Sequence, residues 1–271
     1  MPQAVRRLCL LDQSRILVQR YGAANASLLV LGGTIIANLI DTRMDLPQTN
    51  PKLLIRQSDH RFYLGMGVFM TMLVFLGFWP TYFQPLLNST YEGTLVLHIH
   101  AIFFLAWMAT YLLQSTLVIR RKTPVHKRWG LPGMYLGAVM FMLGLLVATL
   151  LVRRLVYEGQ VDTVLEGVWY AAEPYMDITQ FAILLSLGFV NRKNPPIHKR
   201  YMLLTTIAIL PAATARMEYL IGPWSMELLF LLFAVLILFH DRRIHGKIFR
   251  ANIVGLLILL PRALLAMMHK F

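Results

Sequence analysis

Seven runs of apolar residues follow one another along this chain, and each is long enough to cross a lipid bilayer as a helix. A helix needs about 17–25 residues to cross roughly 30 Å of hydrocarbon. Lipid cannot satisfy exposed backbone groups, and the chain lacks the alternating ten-residue pattern of a membrane β-barrel. We therefore predict an all-α, polytopic transmembrane helical bundle with seven core spans. These are residues 62–83, 95–119, 131–152, 172–190, 201–221, 224–240 and 251–268.

The composition agrees with this class. Of the 271 residues, 57% are hydrophobic and only 14% are charged, which is too apolar for a soluble domain of this size. The single cysteine, Cys9, excludes a disulfide framework and a thiolate metal site. Because the spans follow each other through short connections, residues 62–271 are predicted to form one transmembrane bundle.

Residues 1–61 are interpreted as a cytoplasmic leader. Within them, residues 26–40 are apolar but only 15 long, and they follow a stretch containing several arginines. A signal-peptide core, an interfacial segment and a short eighth span all fit this stretch. Met44 is an alternative start, which would leave residues 44–61 as an ordinary leader.

One basic phrase occurs twice. "VIRRKTPVHKR" at 118–128 and "VNRKNPPIHKR" at 190–200 lie 72 residues apart, a distance that covers two spans. This offset predicts helical hairpins repeated with the same orientation, rather than the inverted repeats common in transporters. We interpret His126, His198 and His245 as interfacial loop residues in preference to ligands or proton relays.

The basic residues predict the orientation of the spans. Connections 120–128, 191–200 and 241–250 carry thirteen Lys and Arg, whereas the connections on the opposite side carry only two. The positive-inside rule therefore puts the basic loops in the cytoplasm and the C-terminus outside the inner (plasma) membrane. The net charge of +13 is then explained by topology and by contact with anionic lipid headgroups, and a nucleic-acid partner is not expected.

Residues 98–137 and 198–217 resemble a family of uncharacterised bacterial predicted membrane proteins. The shared pattern is a His that opens a span, a Gln near its end, an Arg six residues later, and then His-Lys-Arg before a glycine-rich span. It is carried here by His98 or His100, Gln114, Arg120 and His126-Lys127-Arg128, and later by the second His-Lys-Arg and Arg216. The resemblance covers roughly residues 90–220. It implies a membrane location and a helical fold, and no activity.

Polar residues inside predicted spans are costly, so they are candidate functional residues. At helical spacing, His100, Trp107, Tyr111 and Gln114 share one stripe with Phe104, whereas His98 points elsewhere. Glu173 and Asp177 form a second stripe with Gln180. Arg216 and Glu218 lie near the outer end of the fifth span.

The topology places six of the charged and histidine residues at one depth in the outer third of the membrane: His98, His100, Glu173, Asp177, Arg216 and Glu218. We therefore predict an outward-facing polar pocket for a metal, haem or amphipathic small molecule. Its ligand-binding residues are His100, Trp107, Tyr111, Gln114, Glu173, Asp177, Arg216 and Glu218. The alternative is a purely structural ion pair between Arg216 and Asp177 or Glu173. A metal would be held by His98, His100, Asp177 and Glu218, although a helical i, i+2 histidine pair cannot easily chelate one ion.

No catalytic residue is identified, because the chain lacks a P-loop, a dinucleotide fingerprint, an HExxH motif and a nucleophile elbow. A haem with two histidine ligands is disfavoured, since the outer level offers histidines on one span only. Two other functions remain open. One is a proton-coupled transporter or sensor with Asp177–Arg216 as its switchable pair, and the other is an accessory or assembly subunit of a membrane complex.

Overall fold

The computed structural model describes residues 51–268, with side chains from Gln57 onward, and these residues contain helices and no β-strand. The predicted all-α fold is confirmed for them, whereas the predictions for residues 1–50 lie outside the described residues. In chain order the α-helices are α1 (Pro51–Phe78), α2 (Gln84–Leu87), α3 (Leu95–Ile119), α4 (Thr123–Tyr157), α5 (Val164–Tyr170), α6 (Ala172–Val190), α7 (Pro195–Ala208), α8 (Pro211–Thr214), α9 (Glu218–Ile221), α10 (Ser225–His245) and α11 (Arg250–Met268). A π-helix covers Trp79–Phe83, and 3₁₀ turns cover Asn191–Lys193 and Ala215–Met217.

Four helices are long and apolar enough to cross a membrane. They are Gln57–Leu87, Leu95–Ile119, Thr123–Tyr157 and Arg250–Met268. A fifth crossing results if Pro195–Ile221 and Ser225–His245, which meet at 113°, count as one bent span. The predicted number of seven therefore stays a prediction. The shortfall is explained in part by α6, whose Glu173, Asp177 and Gln180 lower its hydropathy.

The two copies of the basic phrase occupy corresponding places. The first joins α3 to α4 and the second joins α6 to α7, and prolines lie in the first turn of each following helix. Proline is tolerated there because its missing N–H would have no intrahelical partner anyway. As a result α4 begins at Thr123, eight residues before the predicted span, and it continues through Pro132.

Helix α7 lies at the centre of the bundle. All residues from Leu203 to Leu210 are buried, and Arg200 near its start is fully buried as well. A helix that is buried on every side must be surrounded by other elements. It packs against α6 and α11, while α3 packs against α4 and α4 against α6.

Helix α7 ends at Ala208, within the segment 201–221 that the sequence predicted as one continuous span. Pro211 follows the break, and only short helical turns continue to Ile221. Gly222 then adopts a positive φ of 92° with ψ of −177°, a conformation that is essentially restricted to glycine. At Gly77 of α1 a side chain would overlap the carbonyl of Ala213, so α1 approaches the broken segment closely.

Candidate metal centre

One carboxylate oxygen joins two distant histidines at an end of the bundle. Asp59 Oδ1 lies 3.0 Å from Nε2 of His240 and 3.3 Å from Nε2 of His245. The three side chains offer ligand atoms that all lie within 4.8 Å of one another. Among the described residues, they form the group of three or more His, Cys, Asp or Glu side chains whose ligand atoms are close enough together to hold one metal ion. We call them the Asp59–His240–His245 triad.

Neighbouring aromatic rings hold the histidines of the triad in place. The imidazole of His240 stacks on Phe62 with ring centres 3.7 Å apart, and His245 meets the edge of Phe249 at 5.2 Å. His245 is the last residue of α10, which ends at Gly246 in the left-handed conformation with its N–H donating to the carbonyl of Arg242. This C-cap turns the chain toward α11 and leaves His245 facing α1.

The second oxygen of Asp59 accepts a hydrogen bond from Lys199 of α7. The ammonium group of Lys199 also lies 4.9 Å from the ring centre of Tyr63. Asp59 is only 5% exposed, so its charge needs partners. Oδ2 is therefore used for charge pairing and orientation, and Oδ1 points to the two imidazoles.

A second buried ion pair is formed by Arg200 and Asp241, which directly follow Lys199 and His240 in the sequence. Arg200 pairs with Asp241, and both side chains are essentially inaccessible. The Oδ2 atom of Asp241 also accepts hydrogen bonds from Nδ2 of Asn252 at 2.8 Å and from the N–H of Phe249 at 3.0 Å. The guanidinium lies 3.5 Å from the ring centre of Phe249. This network ties α7, α10 and α11 together and fixes the end of α10 that carries both histidines.

The triad has the chemistry of a transition-metal site. Two imidazole nitrogens and a carboxylate oxygen are ligands that Zn²⁺, Fe²⁺ and related ions take, with one or more coordination positions left open. Ligands on a tetrahedral zinc ion lie about 3.4 Å apart, given bonds of about 2.1 Å. The two oxygen–nitrogen distances, at which the side chains are hydrogen-bonded, are close to that value.

The structure corrects the expected partner of Asp177. Its Oδ1 atom accepts a hydrogen bond at 2.9 Å from Nε of Arg262 on α11, and Glu173 lies 2.7 Å from another nitrogen of the same guanidinium. Arg216 instead donates to the carbonyl of Ala212 and lies 4.9 Å from the ring centre of Phe78. The sequence analysis missed Arg262 because its helix was treated as wholly apolar.

The remaining predicted site residues are placed as follows. His98 Nδ1 is 3.1 Å from the hydroxyl of Tyr82, and the His100 ring lies 6.4 Å from that of Phe104. Glu218 is exposed at the start of α9. None of the four predicted metal ligands belongs to the Asp59–His240–His245 triad. The outer metal site therefore stays a prediction.

Trp107 and Tyr111 are core residues. Both are buried, and their polar atoms bind other helices: Nε1 of Trp107 donates to Thr206 Oγ1, and the Tyr111 hydroxyl donates to the Tyr63 carbonyl, each at 3.3 Å. Gln114 lies one turn further along α3. Its amide nitrogen and oxygen are both buried and have no hydrogen-bond partner among the described residues.

The sequence analysis did not identify the triad. Asp59 belongs to the predicted leader, and His245 was interpreted as a loop residue. His240 ends the predicted span 224–240 on the basic side, across the bilayer from the outer pocket. The signal that could have identified them is topological, because all three belong to segments that the positive-inside rule puts on one side.

No family model, curated protein or solved structure matches this chain. The resemblance over residues 90–220 therefore rests on the quoted motifs alone.

Proposed function

We propose that this chain is an integral membrane protein that binds a divalent transition-metal ion between Asp59, His240 and His245. The observation that carries the proposal is the sharing of Asp59 Oδ1 by two imidazole nitrogens. Asp59 is paired with Lys199 through Oδ2 and with both imidazoles through Oδ1, so three potential ligand atoms lie within 4.8 Å of one another. Three protein ligands leave coordination positions free for water or a small exogenous ligand.

We further propose that the bundle spans the inner membrane seven times, with the metal centre at its cytoplasmic end. The support is the charge asymmetry of the loops, since residues 52–61 and 241–250 both belong to the basic side. The first basic phrase is well placed for anionic lipid headgroups. Its cationic side chains Arg120, Arg121, Lys122, Lys127 and Arg128 are all exposed.

The metal content of the purified protein tests the proposed function. After incubation with Zn²⁺ and dialysis, elemental analysis should show that Asp59→Asn, His240→Gln and His245→Gln each lower metal affinity at least tenfold, because each removes one of three ligands. Asp59→Asn also leaves the ammonium of Lys199 without its partner. The double variant Asp59→Asn with Lys199→Met removes that charge as well, so it keeps the test valid if the single variant folds poorly.

His100→Gln is the matched control, because it removes a partly buried histidine outside the triad. It should leave metal affinity unchanged. The opposite pattern, with metal lost in His100→Gln and retained in the folded triad variants, would support the outer site predicted from the sequence and overturn this proposal.

A second candidate function is proton-coupled transport or sensing. It is favoured by the contact of the partly buried Asp177 and Glu173 on α6 with the buried Arg262 on α11. Titratable groups buried between spans are typical of proton pathways and of switchable ion pairs. In this candidate Arg262, rather than Arg216, is the cationic member of the pair.

A further inference from the structure

The histidines of the two basic phrases meet in space. His126 lies in the first turn of α4 and His198 in the first turn of α7. Their ring centres are 6.3 Å apart and the ring planes are inclined by 75°. The two copies of the phrase therefore place equivalent imidazoles side by side, although each was interpreted from sequence as a separate loop residue.

A main-chain carbonyl orients His198. Its Nδ1 atom lies 2.8 Å from the carbonyl oxygen of Gly188. A carbonyl can only accept a hydrogen bond, so Nδ1 carries the proton and Nε2 has the free lone pair in the neutral ring. This is the arrangement by which metal-binding histidines are commonly fixed.

The Nδ1 atom of His126 is buried and has no hydrogen-bond partner among the described residues. The described residues contain six buried side-chain nitrogen or oxygen atoms that have no hydrogen-bond partner within that part of the chain. Three of the six belong to His126, through Nδ1, and to Gln114, through both amide atoms. The imidazole of His126 also hydrogen-bonds the main chain of Gln114. Buried polar atoms normally have partners, so the Nδ1 atom of His126 is available to a ligand.

A metal ion accounts for these features together. With metal–nitrogen bonds of about 2.1 Å, the centres of two imidazole rings on one ion lie roughly 5.3 Å apart at a tetrahedral angle and roughly 6.5 Å apart when the two nitrogens are on opposite sides of the ion. The observed separation of the two rings lies between these values and closer to the second, so it fits a wide angle between the two nitrogens. Imidazole ligands suit copper and zinc.

We propose that His126 and His198 bind a second transition-metal ion of the copper–zinc class. This site is separate from the Asp59–His240–His245 triad and does not depend on it. Each copy of the repeated phrase would supply one imidazole ligand. The metal site would therefore explain why the histidine is repeated, which contact of the cationic residues with lipid does not.

Metal stoichiometry tests the second site. The full chain, purified in detergent, is saturated with Zn²⁺ or Cu²⁺, dialysed and measured by elemental analysis. We expect two ions per chain for the unchanged protein and for His100→Gln. His126→Gln, His198→Gln and their combination should each hold one ion. The variant Asp59→Asn with Lys199→Met should also hold one ion, and adding His126→Gln to it should leave none.

His126→Cys separates ligand loss from misfolding, because a thiolate also binds copper and zinc. It should retain two ions where His126→Gln holds one. The proposal fails if the double histidine variant still binds two ions, if His126→Cys binds only one, or if the unchanged protein binds a single ion that only the triad variants remove. That last outcome would leave the proposed function intact.

Discussion

The tripeptide His-Lys-Arg occurs at 126–128 and again at 198–200, and its side chains have different environments at the two places. In the first copy Lys127 and Arg128 are exposed on the surface of the bundle. In the second copy Lys199 binds Asp59 and Arg200 binds Asp241 inside it. The sequence could not distinguish these environments, because acidic partners 140 and 41 residues away decide which copy is buried.

Replacing Arg200 should therefore destabilise the fold far more than replacing Arg128. Arg200→Met leaves the carboxylate of Asp241 buried without its cation, and orphaning a buried charge costs about 3–5 kcal/mol. Arg128→Met changes an exposed residue at the equivalent position and should alter the free energy of unfolding by about 0.5 kcal/mol or less. Denaturant unfolding in detergent measures both.

The combination of Arg200→Met with Asp241→Asn should recover part of the loss, because no unpaired charge remains. Equal effects of Arg200→Met and Arg128→Met would contradict the buried network.

At the scale of elements, the apolar runs predicted where helices lie better than where they begin and end. Helix α1 already includes Pro51, the first described residue, and α4 starts at Thr123, both well before the apolar runs, because a helix can continue through polar residues. Within the predicted fifth span the α-helix is interrupted before Pro211, although the apolar residues continue through the interruption. The 113° bend follows at Gly222, between the predicted fifth and sixth spans. The ion pairs between α6 and α11 depend on a single arginine, which no local pattern indicates.

Helices α6 and α11 should depend on Arg262 for their association. Arg262→Met removes the guanidinium from two acidic side chains, of which Asp177 is only 13% exposed, and should cost about 3–5 kcal/mol. Arg216→Met is the matched control. Its side chain is exposed, lies over the Phe78 ring and donates to a carbonyl, so about 1 kcal/mol or less is expected.

The free energies of unfolding of both variants can be compared in one detergent. A larger loss for Arg216→Met would restore the pair with Asp177 that the sequence analysis predicted. If Arg262 also serves proton coupling, Arg262→Lys should fold and yet change proton uptake by reconstituted vesicles.

For the whole molecule, the helical class and the apolar character followed from composition and run length, whereas the site did not. The Asp59–His240–His245 triad joins α1 to the end of α10. Asp59 is separated from the two histidines by 181 and 186 positions in the sequence, so only tertiary packing brings them into contact. The predicted orientation is what connects these two segments in the sequence. Both lie on the basic side, so the orientation also decides which compartment would supply the metal.

Accessibility of single cysteines tests that orientation. In a variant with Cys9→Ser, cysteines at Thr123, Asn194 and Lys247 should react only with reagents supplied from the cytoplasmic side. Cysteines at Ser89 and Asp162 should react only from outside. All five positions are exposed, so a lack of reaction reports on the side rather than on burial. Asn194 and Ser89 reacting from the same side would exclude the seven-span arrangement, because the number of crossings between them would then be even. Reaction of Lys247 from outside would put the metal centre at the opposite face of the membrane.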